Sequence, residues 1–371
     1  MFIVLTGAKQ NLGDFLITER CKALLREYKP DDELIQLPSW EPITDHLKKV
    51  NQSKGIIIMG GPGYRPDMYP GIYKLTPELD DIQVPIILMG MGWKGARGDI
   101  AAVKEYRYSV ESIKLLQKVA FRTQYFSCRD YYTAYTLQNH GFANILMTGC
   151  PAWYDLASIG MDYNPPGSIQ KIAFTPPAYA HFTDQSVQLL KVLKDIFPAA
   201  EITACFHHGY EYQGLSGNEL FFQAQRNMRD AYNDLQIPCF DLSGEIDNIH
   251  LYKDCDLHVG YRVHAHIDCL SRRRTSILIH EDGRGAGVDN ALGLPGVDAY
   301  ALDKEIALPG LLQRIKGNIG FVEKQIVNPL ASEQLQGILS RELGHNFADF
   351  QGLDRKIDHY YQIMKQFILS L

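Results

Sequence analysis

Short unbroken apolar runs alternate along this chain with longer stretches in which apolar residues recur every three or four positions. Phe2-Ile3-Val4-Leu5 precedes a helical pattern from about Asp14 to Tyr28. Gly55-Ile56-Ile57-Ile58-Met59 ends in Gly60-Gly61-Pro62-Gly63, and Pro85-Ile86-Ile87-Leu88-Met89 ends at Gly90. A single long helix is expected from about Asp99 to Val119. It is followed by Tyr125-Phe126-Ser127-Cys128, a helix from Asp130 to Asn139, and Ile145-Leu146-Met147. Strands without polar alternation, separated by helices, predict parallel sheets covered on both faces. Asp162-Tyr163-Asn164-Pro165-Pro166-Gly167-Ser168 stops every element, and the alternation then restarts. Lys171–Thr175, Glu201–Phe206, Pro238–Phe240, Leu257–Gly260 and Thr275–Ile279 read as strands, with helices between them and a mostly helical last stretch. The expectation is an α/β protein of two Rossmann-like doubly wound domains facing a cleft. The first spans residues 1–163 and the second 170–340. A C-terminal helix, 345–371, has apolar positions Ile357, Tyr360, Tyr361, Met364, Phe367 and Ile368 that ask for a partner surface on the first domain.

The length of 371 residues agrees with two domains. Charges sum to −6, which argues against a protein that coats nucleic acid. No run reaches the roughly 18 to 20 apolar residues that span a bilayer, and Met1–Thr6 reads as a strand rather than a signal peptide. The 7 cysteines are scattered and form no CxxC pair, which suits a reduced, cytoplasmic protein. Contact with a membrane is expected to be peripheral at most, at its inner face.

In doubly wound sheets ligands sit beyond the carboxyl ends of the strands, so the loops there matter most. Asn11-Leu12-Gly13-Asp14 opens the first helix, where free N–H groups favour anions, although Asp14 could be a plain cap. Gly60-Gly61-Pro62-Gly63 permits a close backbone approach but is not a P-loop. Gly260-Tyr261-Arg262-Val263-His264-Ala265-His266 is the densest loop: Arg offers a planar fork for carboxylate or phosphate, and His exchanges protons near neutrality. His280-Glu281-Asp282-Gly283-Arg284 follows on the next strand, placing Asp282 and Arg284 near Arg262, as cleft groups or as a buried ion pair. His181 and His207-His208 also follow strands. Arg272-Arg273-Arg274 reads as a solvated basic turn. No metal is expected: His264 and His266 are two apart on a helix and point to different faces.

Taken in order, these loops resemble the polysaccharide pyruvyl transferase family. The matching segments are Asn11-Leu12-Gly13-Asp14, Gly60-Gly61-Pro62-Gly63 with Asp67, Ser127-Cys128-Arg129-Asp130, Thr148-Gly149-Cys150-Pro151-Ala152, Arg262-Val263-His264-Ala265 and Asp282-Gly283-Arg284. The resemblance implies a fold like that of the GT-B glycosyltransferases, with an acceptor side in the first domain and a donor side in the second. It implies transfer of a pyruvyl group from phosphoenolpyruvate to a sugar of a cell-surface polysaccharide or its precursor. His264, with Asp14, would be catalytic. Arg262, His266, Asp282, Arg284, His181 and His207 would bind the donor. Asn11, Gly13, Gly61, Gly63 and Arg129 would line the acceptor side of the cleft.

The implied chemistry uses phosphoenolpyruvate as co-substrate and requires no further cofactor. The partner would be a glycan or lipid-linked saccharide acceptor, with no nucleic acid; the oligomeric state stays open. The sequence departs from the family pattern after Lys171–Thr175, where Thr175-Pro176-Pro177-Ala178 carries no arginine and His181 or His207 would have to replace it. That departure keeps alive a glycosyltransferase using a nucleotide-activated sugar, whose base would pack on Pro176, Pro177 and Tyr179. A non-enzymatic glycan or protein binder is the third reading.

Overall fold

A computed structural model describes residues 1–211, 218–307 and 320–371; the expected second domain, 170–340, therefore includes two stretches outside the description. The first half carries β1 (Phe2–Thr6), β2 (Leu34–Pro38), β3 (Ile56–Met59) and β4 (Ile86–Met89), all parallel in the order β2-β1-β3-β4. A bridge from Met91 to Cys128 continues this order into the parallel pair β5 (Phe126–Cys128) and β6 (Ile145–Met147). The second half carries β7 (Lys171–Thr175), β8 (Glu201–Phe206), β9 (Cys239–Asp241), β10 (Leu257–Gly260), β11 (Thr275–His280) and β12 (Gly296–Asp298), parallel in the order β12-β11-β10-β7-β8-β9. β1, β3, β4, β10 and β11 are buried throughout, as unbroken apolar strands inside a covered sheet must be.

Each half has a point where the strand order reverses, between β1 and β3 in the first and between β7 and β10 in the second. Loops leaving such a pair of strands diverge and open a crevice between them. The helices are α1 (Leu12–Tyr28), α2 (Leu47–Val50), α3 (Ile100–Glu105), α4 (Val110–Arg122), α5 (Tyr131–Asn139), α6 (Thr183–Ile196), α7 (Glu219–Asp234), α8 (Val263–Ser271), α9 (Gly283–Leu292), α10 (Ala331–Gly344) and α11 (Leu353–Leu369). Among the described residues none is long and apolar enough to cross a membrane.

Two sequence expectations are corrected, and one strand pair was not foreseen. The single helix from Asp99 to Val119 is two, because Asp99 caps α3 and Ser109 caps α4. The segment between them lays Tyr106 and Tyr108 against Trp93 and His140. Among the described residues before α10, β13 (Tyr300–Ala307) and β14 (Gly320–Val327) pair as an antiparallel ladder that no sequence expectation covered, and Gln325 reaches the Ala96 carbonyl in the first half at 3.0 Å. The basic turn is not solvated as a unit. Arg273 is buried with its guanidinium 2.5 Å from Asp358, and Arg272 pairs with Asp268 at 3.0 Å. Arg20 of α1 reaches Asp155 and, at 3.3 Å, the same Asp268, so this charge cluster joins α1 to α8.

The six apolar positions singled out on α11, Ile357, Tyr360, Tyr361, Met364, Phe367 and Ile368, are buried. Tyr361 packs against Tyr28 and Tyr154, Tyr360 packs edge-on to Trp153, and the Tyr360 hydroxyl donates to the Ala291 carbonyl at 3.4 Å. This helix therefore touches α1 and the end of α9.

Candidate active site

The two crevices face each other. On the first-half side, Gly60 and Gly61 adopt φ of +43° and +70°, which turns the chain sharply after β3 in a region other side chains avoid. A cavity of about 160 Å³ opens there, lined by Asp14, Gly61, Gly63, Arg65 and Tyr73 among others. Asn11, at the cap position of α1, does not cap it; its amide donates to Asp14 Oδ2 at 3.1 Å instead. Asp14 is half-buried, and burial pushes its carboxyl up to about 6, against the opposing effects of the Asn11 bond and the Arg284 charge.

On the second-half side, Arg262 stands at the cap position of α8 and is only 8% exposed. Its backbone N–H donates to Thr175 Oγ1 at 3.1 Å and one terminal nitrogen to the Pro177 carbonyl at 3.3 Å. Glu281 holds that proline loop in place by accepting the N–H groups of Ala178 at 2.6 Å and Tyr179 at 3.3 Å. Asp282 caps α9 through the Arg284 N–H and also takes the Arg284 Nε at 2.8 Å, so the anticipated Asp–Arg ion pair exists and directs Arg284. Arg129 comes from the opposite half. It is buried, donates from Nε to Asp130 at 3.3 Å, and lies flat where any side chain at Gly92 would collide with it.

His264 is where the two sides meet. Its ring packs on Gly13 so closely that a methyl group there would overlap it. Burial, followed by the charges of Arg129, Arg284 and Arg262, pushes its imidazole down to about 3. Every charge acting on this ring is a cation. His207 and His208 are also driven down by burial, and then by Arg262. His264 Nε2, Arg262 Nε, His208 Nδ1 and Gln225 Oε1 are buried without a hydrogen-bond partner among the described residues, and Gln225 shares the Pro177 carbonyl with Arg262. Buried polar atoms in native proteins are almost always paired, so this concentration of unpaired atoms at one place calls for partners such as water or a ligand.

The remaining interface is made of backbone. Gly283 lies against the Arg97 carbonyl and donates its N–H to the Gly95 carbonyl at 3.0 Å. A Cβ at Gly287 would meet Asp130 at 2.9 Å.

Of the expected site residues, Asn11, Gly13, Asp14, Arg129, Arg262, His264, Asp282 and Arg284 converge here, and Gly61 and Gly63 line the small cavity. His181 is exposed and lines a larger cavity of about 740 Å³ with Tyr179, Glu281, Asp282 and Lys94. Arg65 lines both cavities. His266 does not reach the cleft: it is fully buried, with Nδ1 on Ser276 at 2.7 Å and Nε2 on Asp289 at 2.9 Å. His207 is turned inward, Nε2 to the Tyr252 hydroxyl at 2.6 Å. Sequence reasoning gave Glu281 no role, although it lies within a loop already singled out, and it passed over Gln225 and Lys94; Gln225 lies mid-helix and gave no signal.

The family model for polysaccharide pyruvyl transferases matches residues 11–279, ending just before Asp282. Among solved structures, the UDP-GlcNAc 2-epimerase of Neisseria meningitidis bound to UDP-GlcNAc superposes with a TM-score of 0.57 at 8% identity, covering 100% of both chains. A putative UDP-N-acetylglucosamine 2-epimerase of Listeria monocytogenes superposes with a TM-score of 0.53 at 9% identity, covering 98% of this chain and 93% of that one. At these identities the likeness is one of fold, which is GT-B-like. No curated sequence matches the chain.

Proposed function

Because this chain belongs to the polysaccharide pyruvyl transferase family, we propose that it transfers a pyruvyl group from phosphoenolpyruvate to a sugar hydroxyl of a polysaccharide or its precursor. The observation that carries the donor assignment is His264, a partnerless buried imidazole on which three guanidiniums act and no carboxylate does. Such a place favours a small, highly charged anion. Arg262 offers a fork from one half, Arg284 is directed by Asp282, and Arg129 supplies a third guanidinium from the other half. The loop after β7, where family members often have an arginine, is Thr175-Pro176-Pro177 here, so these three arginines are the ones that would hold the anion.

The transfer needs a proton on the methylene carbon of the enol, attack of one sugar hydroxyl on the adjacent carbon, departure of phosphate with its bridging oxygen, and closure of the ketal by a second hydroxyl of the sugar, whose proton leaves with the phosphate. His264 is neutral in the empty site because protonating it would add charge among cations. A bound trianion reverses that field, so His264 gains a proton as the donor arrives and can hand it to the methylene carbon. Asp14, with a carboxyl near 6 on the acceptor side, is suited to receive the proton of the attacking hydroxyl. The acceptor would enter through the larger cavity, whose lining mixes carboxylates with Tyr179 and Tyr300.

The alternative donor, a nucleotide-activated sugar, is favoured by one observation. Tyr179 and His181 stack at 5.7 Å with 20° between planes, a surface on which a base could lie. Thermal stabilisation separates the two. A ligand at a hundred times its dissociation constant adds about 2.7 kcal/mol of stability. Stabilisation by phosphoenolpyruvate and not by a nucleotide panel supports pyruvyl transfer. The reverse result replaces it with glycosyl transfer.

A further inference from the structure

A continuous chain of buried hydrogen bonds runs under the second sheet and ends at the backbone of Arg262. Arg262 N–H donates to Thr175 Oγ1 (3.1 Å), which meets His258 Nε2 (2.9 Å); His258 Nδ1 meets Ser276 Oγ (2.7 Å). Ser276 Oγ meets His266 Nδ1 (2.7 Å), His266 Nε2 meets Asp289 Oδ1 (2.9 Å), Asp289 Oδ2 meets His280 Nε2 (2.7 Å), and His280 Nδ1 meets Asp298 (3.0 Å). Thr175, His258, His266 and Ser276 are fully buried, and only Asp298 is largely exposed.

Proton counting limits the directions these bonds can take. Asp289 is held ionised by its two imidazole partners and can only accept. His266 therefore carries a proton on Nε2. Ser276 has one hydroxyl proton for the two imidazole nitrogens that face it, so His258 and His266 cannot both offer it a lone pair. With His266 Nδ1 taking that proton, His258 donates from Nδ1. His258 Nε2 is then an acceptor, and the Thr175 hydroxyl proton goes to it. The oxygen of Thr175 is thereby left to receive the Arg262 N–H.

We propose that Asp289 acts through this one-way chain as a positioning residue for Arg262, fixing the hydroxyl direction at Thr175 that anchors the cap of α8. The inference rests on the reading of Arg262 as the donor arginine. The same chain accounts for the position of His266, one turn along α8 from Arg262 yet turned away from the cleft.

Three variants of the full chain test it: Ser276→Ala, which removes one oxygen from the middle, Thr175→Val, which removes the anchor, and Thr175→Ser, which restores it. Nitrogen-detected NMR of the histidine rings should show the proton on Nδ1 of His258 and on Nε2 of His266 in the unaltered protein. In Ser276→Ala the His258 tautomer should be lost to a mixture. Calorimetric affinity for phosphoenolpyruvate and for inorganic phosphate should weaken about three- to tenfold in Ser276→Ala and Thr175→Val, the worth of one hydrogen bond, and recover in Thr175→Ser. A His258 proton on Nε2 overturns the proposal. So does unchanged anion affinity in Ser276→Ala together with a lowered melting temperature, which would make the chain a core feature only. If the unaltered protein binds neither anion, the donor reading fails by itself. The proposal is then decided by whether the crystal structure of Ser276→Ala shows a displaced Arg262 backbone, and an unmoved one ends it.

Discussion

His264 follows β10 and His280 ends its neighbour β11, and the two are almost equally hidden, 8% and 7% exposed. Their surroundings are opposite. His280 lies between Asp289 and Asp298, bonded to both, and their pull outweighs burial and lifts its imidazole to about 9. His264 lies among Arg129, Arg262 and Arg284 with Nε2 unpaired, and it falls to about 3. Burial is common to both, so it cannot be what separates them. The difference is whether the protein has supplied the counter-charge itself or left that to a ligand.

That contrast can be broken from either side, and the largest effect should come from the unmatched one. His264→Ala should lower the transfer rate by about a hundred- to ten-thousand-fold, the usual contribution of a positioned proton-transfer group, with little change in melting temperature. Full activity in this variant would end the acid/base role. On the matched side, Asp289→Ala strips two histidines of their carboxylate. It should destabilise the fold by about 3–5 kcal/mol in a denaturant titration, as removal of one partner from a buried pair does. Arg262→Lys keeps the charge but loses the planar fork, and donor affinity measured by calorimetry should drop by about tenfold or more.

The contrast can also be sharpened by titration. At pH 7, phosphoenolpyruvate binding should take up close to one proton, measured as the dependence of binding heat on the buffer, and His264→Gln should abolish the uptake. Uptake that survives would move the proton to His208. The smallest effect concerns Asp14, whose folded carboxyl lies above its unfolded value of 3.8. Folding then favours the protonated form, so wild-type stability is full below about pH 4 and declines as pH rises to about 6. Asp14→Asn should match wild type at pH 4 and exceed it by about 1–2 kcal/mol at pH 8. Equal stability at both pH values would mean that the carboxylate is solvated.

The site was legible in the sequence where chemistry and local structure share a few residues. Arg262 and His264 stand at a strand exit that opens a helix, and the position marked them as candidates before any distance was known. The same logic failed for His266, because two residues along a helix turn a side chain through most of a half-circle, and only the tertiary partners Ser276 and Asp289 reveal which way is inward. Strand β2, with Gln36 exposed at a sheet edge, lacked the apolar run that marked its neighbours. The β13–β14 ladder was hidden for a related reason, since each strand carries three consecutive polar residues at its centre, Asp303-Lys304-Glu305 and Glu323-Lys324-Gln325, and so shows neither an unbroken apolar run nor an alternation.

The halves meet across the cleft through Gly13, Gly283 and Gly287, main chain against ring, carbonyl and carboxylate. The main chain at these glycines has no Cβ to yield, so it works as a gauge block whose thickness is that of the polypeptide backbone. Misplacement by about 1 Å is enough to cost a hundredfold in rate. On the proposed reading, variation in the acceptor would be carried by the loops around the larger cavity, where side chains can be exchanged without resetting the spacing between Asp14 and the arginines.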